Sequence, residues 1–263
     1  MAKISLARLE TARLSERMPL TVGGVETHVY FDRPLHPLAL HVHRFKAGSA
    51  ISLEPSDRDR ILFVWLGTVE VLGEKLGAGS SAIVERGKGV HLAALSNEAT
   101  VLEFFGRGEG ADADDRLSAI HLLPRSAVPR FGDGLDGMAV GGALHADSSC
   151  PSCSIWLHEN FIPPGSVGDP REKPIIHSHS VDEIIFVTAG EMRFGRQRHG
   201  PGTALAIAAN AFYSFRPGKQ GLAFVNFRAE RPGQIQIKGG ESVDEAAYWR
   251  DHVGSPCPVT ICD

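Results

Sequence analysis

Two stretches of the chain repeat the same pattern, and this repeat restricts the fold more than any other feature of the sequence. Residues 61–67 (ILFVWLG) resemble residues 184–190 (IIFVTAG). In each copy another glycine follows twelve residues after the glycine that ends the stretch, at Gly79 and at Gly202. Internal similarity of this kind predicts two copies of one structural unit.

Short apolar runs bounded by turn residues predict strands in both copies. The 29 glycines and 16 prolines suit a turn-rich β protein, and the runs have the length of strands. Helical patterns lie near the ends of the chain. Ser242-x-x-Glu245 predicts a capping box for a helix that continues to Gly254, and a weaker helix is predicted from Leu6 to Arg17. We therefore predict an all-β fold with short terminal helices.

The second copy carries three side chains of the types that bind metals. His177, His179 and Glu183 share one parity, so on a single extended strand they point to the same face. Two imidazoles and a carboxylate that converge on one point suit a divalent transition metal. The alternative is a solvated loop, and the spacing alone leaves both interpretations open.

These three residues belong to a longer pattern that resembles the two-part signature of the cupin superfamily. The first part, His-x-His, spacers, Glu, six spacers and Gly, is complete and ends at Gly190. The second part starts at Gly202 and keeps its spacing, but its Pro, Gly and His positions carry Ala208, Asn210 and Tyr213.

The resemblance covers most of residues 25–235 and implies two tandem cupin (jelly-roll) β-barrels. The first barrel is expected to be degenerate and the second to bind a metal. The predicted domains, in chain order, are an N-terminal arm (1–24), the degenerate barrel (25–108), a linker (109–147), the metal-binding barrel (148–238) and a C-terminal helix and tail (239–263).

Carried over to this chain, the resemblance implies His177, His179 and Glu183 as ligands of one metal ion and Tyr213 at the fourth ligand position. Tyr213 either binds as a phenolate, which needs a strong Lewis acid because its ordinary pKa is near 10, or stays a phenol beside the ion. The second case leaves the facial triad of non-haem Fe(II) enzymes. A barrel-wall aromatic bonded to backbone is a third interpretation. Fe(II) is the expected ion, with Mn, Ni, Zn or Cu as alternatives.

The matching positions of the first copy carry no set of metal ligands. They are Glu54, Ser56, Arg60 and Val90. We expect an ion pair between Glu54 and Arg60, and His91 lies one residue out of register, so it faces the other way on a regular strand. The first barrel is therefore predicted to be structural.

The four cysteines form two close pairs, Cys150 with Cys153 and Cys257 with Cys262. They are consistent with a structural zinc site, a redox dithiol or four free thiols. CxxC outside a βαβ context weakens the redox interpretation.

The composition limits the partners of the chain. The net charge is −4 without a basic stripe, which argues against nucleic acid. No apolar run approaches the ~18 residues of a membrane span, and the N-terminus lacks an apolar core of signal-peptide length. We therefore expect a cytoplasmic protein, and exposed sheet edges favour a homodimer.

Three functions are compatible with these predictions. The first is a non-haem iron dioxygenase acting on a small organic substrate. The second is a lyase, decarboxylase or isomerase in which the ion is a Lewis acid and Tyr213 or Glu183 moves a proton. The third is a non-catalytic binding or sensing protein. His158 is expected to be a hydrogen-bonded strand histidine. Four arginines flank the second barrel as candidate substrate anchors: Arg193, Arg196, Arg198 and Arg216.

Overall fold

The computed structural model describes residues 4–15, 20–32, 35–106, 118–132, 141–148, 155–164 and 175–262. Within these ranges the chain forms 24 strands, one short 3-10 helix (Arg125–Ala127) and one α-helix, α1 (Glu245–Val253). The strands are β1 (Ile4–Ala7), β2 (Arg13–Leu14), β3 (Leu20–Val22), β4 (Glu26–Phe31), β5 (Ala39–Lys46), β6 (Ala50–Leu53), β7 (Arg60–Leu66), β8 (Thr68–Val71), β9 (Glu74–Gly77), β10 (Ser81–Val84), β11 (Val90–Ala94), β12 (Glu98–Phe105), β13 (Ile120–Leu123), β14 (Arg130–Phe131), β15 (Gly141–Asp147), β16 (Trp156–Ile162), β17 (His177–His179), β18 (Glu183–Phe194), β19 (Gln197–His199), β20 (Ala204–Ile207), β21 (Phe215–Arg228), β22 (Gln234–Ile237), β23 (Ser242–Asp244) and β24 (Val259–Ile261).

The predicted all-β class is confirmed, and the chain divides into two compact units of jelly-roll type. Each unit takes one terminal strand from the opposite end of the chain. The domain boundaries predicted from the sequence stay a prediction. The N-terminal unit consists of Glu10–Val128, Ser148–Ile155 and Pro256–Asp263, and the C-terminal unit of Met1–Leu9, Pro129–Asp147 and Trp156–Ser255.

The N-terminal unit is built from two antiparallel sheets. The larger has the strand order β2-β4-β5-β12-β7-β10-β13-β24, and the smaller β3-β6-β11-β8-β9. Apolar side chains from both sheets fill the space between them because successive residues of a strand alternate between core and surface. This core includes Ile51, Leu62, Val69, Leu92 and Val101.

The C-terminal unit repeats this arrangement. Its larger sheet has the order β1-β20-β18-β21-β16-β15-β14, with β19 paired to β18, and its smaller sheet has the order β17-β22-β23. The apolar part of its interior includes Ile185, Val187, Met192, Leu205 and Phe224.

The repeated glycines occupy equivalent places where no side chain fits. Gly67 follows β7 and Gly190 lies in β18, and both have positive φ angles, 74° and 72°. A Cβ atom on Gly67 would overlap the carbonyl oxygen of Glu98, and one on Gly190 would overlap that of Gly221. Glycine is required at both positions because it alone has no Cβ and adopts this conformation without cost.

The two helix predictions have different outcomes. The C-terminal helix exists as α1, but its N-cap is Asp244, whose side chain accepts from Ala247 N at 2.9 Å. The capping box predicted at Ser242 is therefore wrong by two residues, since Ser242 is in β23. The helix predicted from Leu6 to Arg17 is also wrong. Of its described residues, Leu6 and Ala7 belong to β1, which pairs with β20, and Arg13 and Leu14 form β2, because sheet pairing outweighs local propensity there.

Two other predictions concern the cysteines and membrane-spanning segments. Cys257 and Cys262 are exposed free thiols, whereas Cys150 and Cys153 lie outside the described residues, so a four-cysteine zinc site stays a prediction. No helix in the described part of the chain is long and apolar enough to cross a lipid bilayer.

Candidate metal site

The three predicted ligands come from two strands rather than one. His177 and His179 are in β17 of the smaller sheet, whereas Glu183 begins β18 of the larger sheet. The chain bends between them at residues 180–182, where Asp182 Oδ1 accepts from Ala209 N at 2.8 Å. The prediction of a single extended strand is wrong, and the side chains approach each other because two sheets meet at this bend.

A tight turn places Tyr213 beside the two histidines. Ala211 N donates to Ala208 O at 3.1 Å, and Asn210 has a φ of 59°. Asparagine tolerates this left-handed conformation better than most residues, so it can stand where the resemblance predicts glycine. The backbones of His177 and Tyr213 then exchange two hydrogen bonds of 3.0 and 2.9 Å, which fixes the two residues side by side.

The interior of the C-terminal unit has an apolar part and a polar end. Glu183 shares one side of β18 with Ile185, and Asn226 and Arg228 share one side of β21 with Phe224. The carboxylate of Glu183 is 1% exposed and the guanidinium of Arg228 is fully buried. Charged groups buried this deeply need partners, and at this end of the unit Glu183 and Arg228 are paired with each other.

Each candidate ligand keeps one ligating atom free. His177 Nδ1 lies 3.3 Å from Ile175 O, and His179 Nδ1 lies 2.8 Å from Glu245 Oε2. Within the described residues neither Nε2 atom makes a hydrogen bond, and Glu183 Oε1 is buried without a hydrogen-bond partner. The pKa of His177 is lowered by burial and by the neighbouring His179, which favours the neutral, ligating form of its ring.

The donor set fits a divalent ion, although no coordination sphere is formed. No three His, Cys, Asp or Glu side chains in the described ranges are arranged as a complete metal site. Two imidazoles bound to one ion at about 2.1 Å place their ring centres roughly 4.5 to 5.5 Å apart, and the observed separation is 5.2 Å. His179 Nε2 lies 3.8 Å from Glu183 Oε2. That these residues bind a metal stays a prediction.

Tyr213 is buried beside His177 and close enough to Glu183 for the carboxylate charge to act on its phenol. Its ring lies 4.6 Å from that of His177 and stacks on Phe215 at 6.3 Å. Burial, followed by the charge of Glu183, raises the pKa of Tyr213 well above 10. The phenol is therefore neutral and carries a proton next to the candidate ligands.

Two charged residues for which the sequence predicts no role at this site, Arg228 and Glu245, complete the polar end. Arg228 Nη2 donates to Glu183 Oε2 at 3.1 Å, and its Nη1 forms an ion pair of 2.8 Å with Glu245 Oε1. Asn226 Nδ2 also donates to Glu183 Oε2, at 2.8 Å. Burial by itself raises the pKa of Glu245, but Arg228 and the hydrogen bond with His179 outweigh it and hold the pKa at about 2.

His158 is the hydrogen-bonded strand histidine that the sequence predicts. Trp156 Nε1 donates to His158 Nδ1 at 2.8 Å, which leaves the ring proton of a neutral His158 on Nε2. Burial and then the charge of Arg228 lower its pKa, and the Trp249 ring of α1 lies 4.3 Å away. Helix α1 therefore covers the polar end with Glu245 and Trp249.

The arginine at the site is Arg228 and none of the four predicted candidates. Arg193 is near the far end of β18, roughly 30 Å along the strand from Glu183. It donates to Glu191 Oε1 at 2.8 Å, and Arg198 on the neighbouring strand lies 3.7 Å from the same carboxylate. These side chains belong to a solvated hairpin.

The corresponding end of the N-terminal unit is closed by its own charges. Arg60, at the place of Glu183, donates to Glu103 Oε1 at 3.1 Å and to the backbone oxygen of Glu54 at 2.6 Å. The side chain of Glu54 is exposed, so the predicted Glu54–Arg60 ion pair is wrong. His43 Nε2 donates to Glu103 Oε2 at 2.9 Å, and Thr27 Oγ1 lies 2.9 Å from His43 Nδ1. The guanidinium of Arg60 thus occupies the position that Glu183, a candidate metal ligand, has in the C-terminal unit.

This closed network predicts acid sensitivity of the N-terminal unit. Burial alone would raise the pKa of Glu103, but hydrogen bonds and charge from His41 and His43 outweigh it and hold the pKa well below its ordinary value of 4.5. The unfolded chain therefore takes up a proton below about pH 4.5 while the folded unit does not, so stability is full above this pH and falls as the pH drops. Urea unfolding between neutral pH and pH 3 measures this. Glu103→Gln should flatten the dependence, and an unchanged slope in that variant would contradict it.

Comparison with known proteins establishes the fold. No protein-family model matches the chain, and no curated protein matches it in sequence. Similar solved structures include oxalate decarboxylase of Lactobacillus farciminis (13% identity, 94% of this chain and 90% of that one, TM-score 0.65). Protein Ylba of E. coli (9%, 91% and 92%, 0.66) and a protein of Nostoc punctiforme provisionally assigned as a dioxygenase (11%, 92% and 86%, 0.63) are also similar. At these identities the similarity shows the fold alone.

Proposed function

We propose that the chain is an enzyme that binds one divalent transition-metal ion in its C-terminal unit and acts on a small organic molecule. The observation that carries this proposal is the buried Glu183 Oε1, which has no partner and lies near two imidazoles with free Nε2 atoms. A buried carboxylate oxygen without a partner is costly, and a metal ion would satisfy it. The matching end of the N-terminal unit offers no such atom on Glu103, because both its oxygens are bonded.

His177, His179 and Glu183 would hold the ion through the two Nε2 atoms and Oε1. When bound, the ion supplies Lewis-acid polarisation of a substrate oxygen and, if it is iron, electrons for a reaction with O2. Asn226 and Arg228 occupy Glu183 Oε2, so the carboxylate offers one oxygen and leaves positions open for substrate. Tyr213 holds a proton beside these positions, ready to donate a hydrogen bond or move the proton.

A non-haem iron dioxygenase is the first reaction class that we propose. Two histidines and one carboxylate with open positions are the ligand set of such enzymes, and a structurally similar protein of Nostoc punctiforme is provisionally assigned this activity. In this case Tyr213 orients the substrate by a hydrogen bond and is not itself a ligand.

A decarboxylase, or another lyase or isomerase, is the alternative. It is favoured by the proton that burial keeps on Tyr213 next to Glu183, which suits an acid–base group. The oxalate decarboxylase of Lactobacillus farciminis has a similar fold. A non-catalytic protein that binds or senses a small ligand is the third alternative.

Metal analysis combined with turnover assays in air and under argon tests the proposal. We expect about one transition-metal ion per chain and turnover of a small organic molecule. Turnover that stops without O2 indicates the dioxygenase, and turnover that continues with zinc in place of iron indicates the decarboxylase or lyase. Protein that turns over no substrate is the binding or sensing protein, and protein that binds no metal contradicts both enzyme proposals.

A further inference from the structure

Four buried side chains form a closed ring at the polar end of the C-terminal unit. Arg228 contacts Glu183 at 3.1 Å and Glu245 at 2.8 Å, Glu245 contacts His179 at 2.8 Å, and His179 returns to Glu183 at 3.8 Å. All four are at most 7% exposed. Two of them are proposed ligands, whereas Arg228 and Glu245 have no ligating role.

His179 Nδ1 has two neighbours, one of which requires it to donate a hydrogen bond and the other to accept one. Glu245 Oε2, at 2.8 Å, can only accept a hydrogen bond, and Arg228 Nη2, at 2.9 Å, can only donate one. With the ring proton on Nδ1, His179 donates to Glu245 and its Nε2 lone pair is open. With the proton on Nε2, Nδ1 accepts from Arg228 and Nε2 cannot bind an ion.

The contacts of Arg228 decide between these two tautomers. If Nδ1 carries the proton, Arg228 loses one acceptor but keeps Glu183 and Glu245. If Nε2 carries it, Glu245 Oε2 faces the lone pair of Nδ1 at 2.8 Å in a buried site, where such repulsion is poorly screened. Each arrangement contains one charge-assisted hydrogen bond at Nδ1, to Glu245 in the first and from Arg228 in the second, so the repulsion between Glu245 and Nδ1 decides between them.

We propose that Glu245 is a positioning residue that holds His179 in the tautomer presenting Nε2 to the metal ion, while Arg228 fixes the carboxylates of Glu183 and Glu245. This inference deepens the proposed function and rests on it. Glu245 is the first residue of α1, so the C-terminal helix completes the site. Metal-ligating histidines depend on such partners for ring orientation and basicity.

The tautomer of His179 can be measured in metal-free protein by 15N NMR of the imidazole nitrogens. We expect the proton on Nδ1 in the wild type. In Glu245→Gln it should move toward Nε2, because the amide can donate to Nδ1 and the carboxylate that held the proton is gone. Glu241→Gln is the matched control, since Glu241 is exposed in the same segment, and it should leave the wild-type spectrum unchanged.

Titration with Co2+ gives a second readout. Glu245→Gln should bind Co2+ about 10- to 100-fold more weakly than the wild type, and Glu241→Gln equally well. Glu245→Asp keeps the charge beside Arg228 on a shorter side chain, so its affinity should be intermediate. If Glu245→Gln does not fold, Glu245→Asp replaces it in the NMR and Co2+ measurements.

An unchanged tautomer together with an unchanged Co2+ affinity in Glu245→Gln would overturn the inference. Wild-type protein that binds no Co2+ would instead overturn the proposed function. The NMR spectra remain informative in that case, because a tautomer that still switches in Glu245→Gln assigns the positioning of His179 to Glu245, and one that does not switch refutes it.

Discussion

Replacing Glu183 by glutamine is expected to weaken the binding of a divalent ion by more than about 100-fold, since loss of an outer partner alone costs 10- to 100-fold. The amide removes the negative charge and places a neutral group where Oε1 now has no partner. Turnover should fall with metal occupancy. The measurement is Co2+ titration and metal content of the purified variant.

The variant should remain folded, which separates ligation from structure. Arg228 keeps its ion pair with Glu245 at 2.8 Å when Glu183 becomes glutamine, so its charge is not left alone. Glu191→Gln makes the same change on β18 at a partly exposed carboxylate and should bind Co2+ like the wild type. If Glu183→Gln binds Co2+ with the affinity of the wild type, Glu183 is not a metal ligand and the proposed function is wrong.

The fold was predictable because its causes are local and repeated. The two glycine-ended stretches specify equivalent strands, and Gly67 and Gly190 each stand where a backbone carbonyl excludes any side chain. Tyr213 lies beside His177 because the turn spacing survives even where Asn210 replaces glycine.

The partners of the candidate ligands were not predictable from spacing. Arg228 is 45 residues from Glu183, and Glu245 is 66 residues from His179, so no short pattern links them. The sequence pattern assigned Glu245 a local role in a capping box, whereas its side chain contacts His179 of β17 at 2.8 Å. The bend at Asp182 was missed for the same reason, because the backbone donor that fixes it is Ala209.

Replacing Arg60 by methionine is expected to destabilise the N-terminal unit by about 3 to 5 kcal/mol, the usual cost of breaking a buried ion pair. Arg60 is 4% exposed and Glu103 2%, so solvent cannot replace the lost partner. His43 stays bonded to Glu103 but lies on its other oxygen. Urea unfolding gives the free energy, and hydrogen exchange in β7 and β12 localises the loss to this unit.

Two further variants decide whether the ion pair itself is responsible. Arg44→Met removes an exposed pair with Glu26, 3.5 Å apart with both side chains about half exposed, and should cost no more than about 1 kcal/mol. The double variant Arg60→Met/Glu103→Leu replaces both charges by apolar side chains and should recover part of the lost stability, because neither the carboxylate nor the guanidinium is left buried alone, while His43 loses its bond to Glu103. A double variant as unstable as the sum of its single variants would show that Arg60 stabilises the unit through its bonds to the Glu54 and Lys88 carbonyls instead. In every variant of this series the C-terminal unit should bind Co2+ as the wild type does, since none of these residues contacts its candidate ligands.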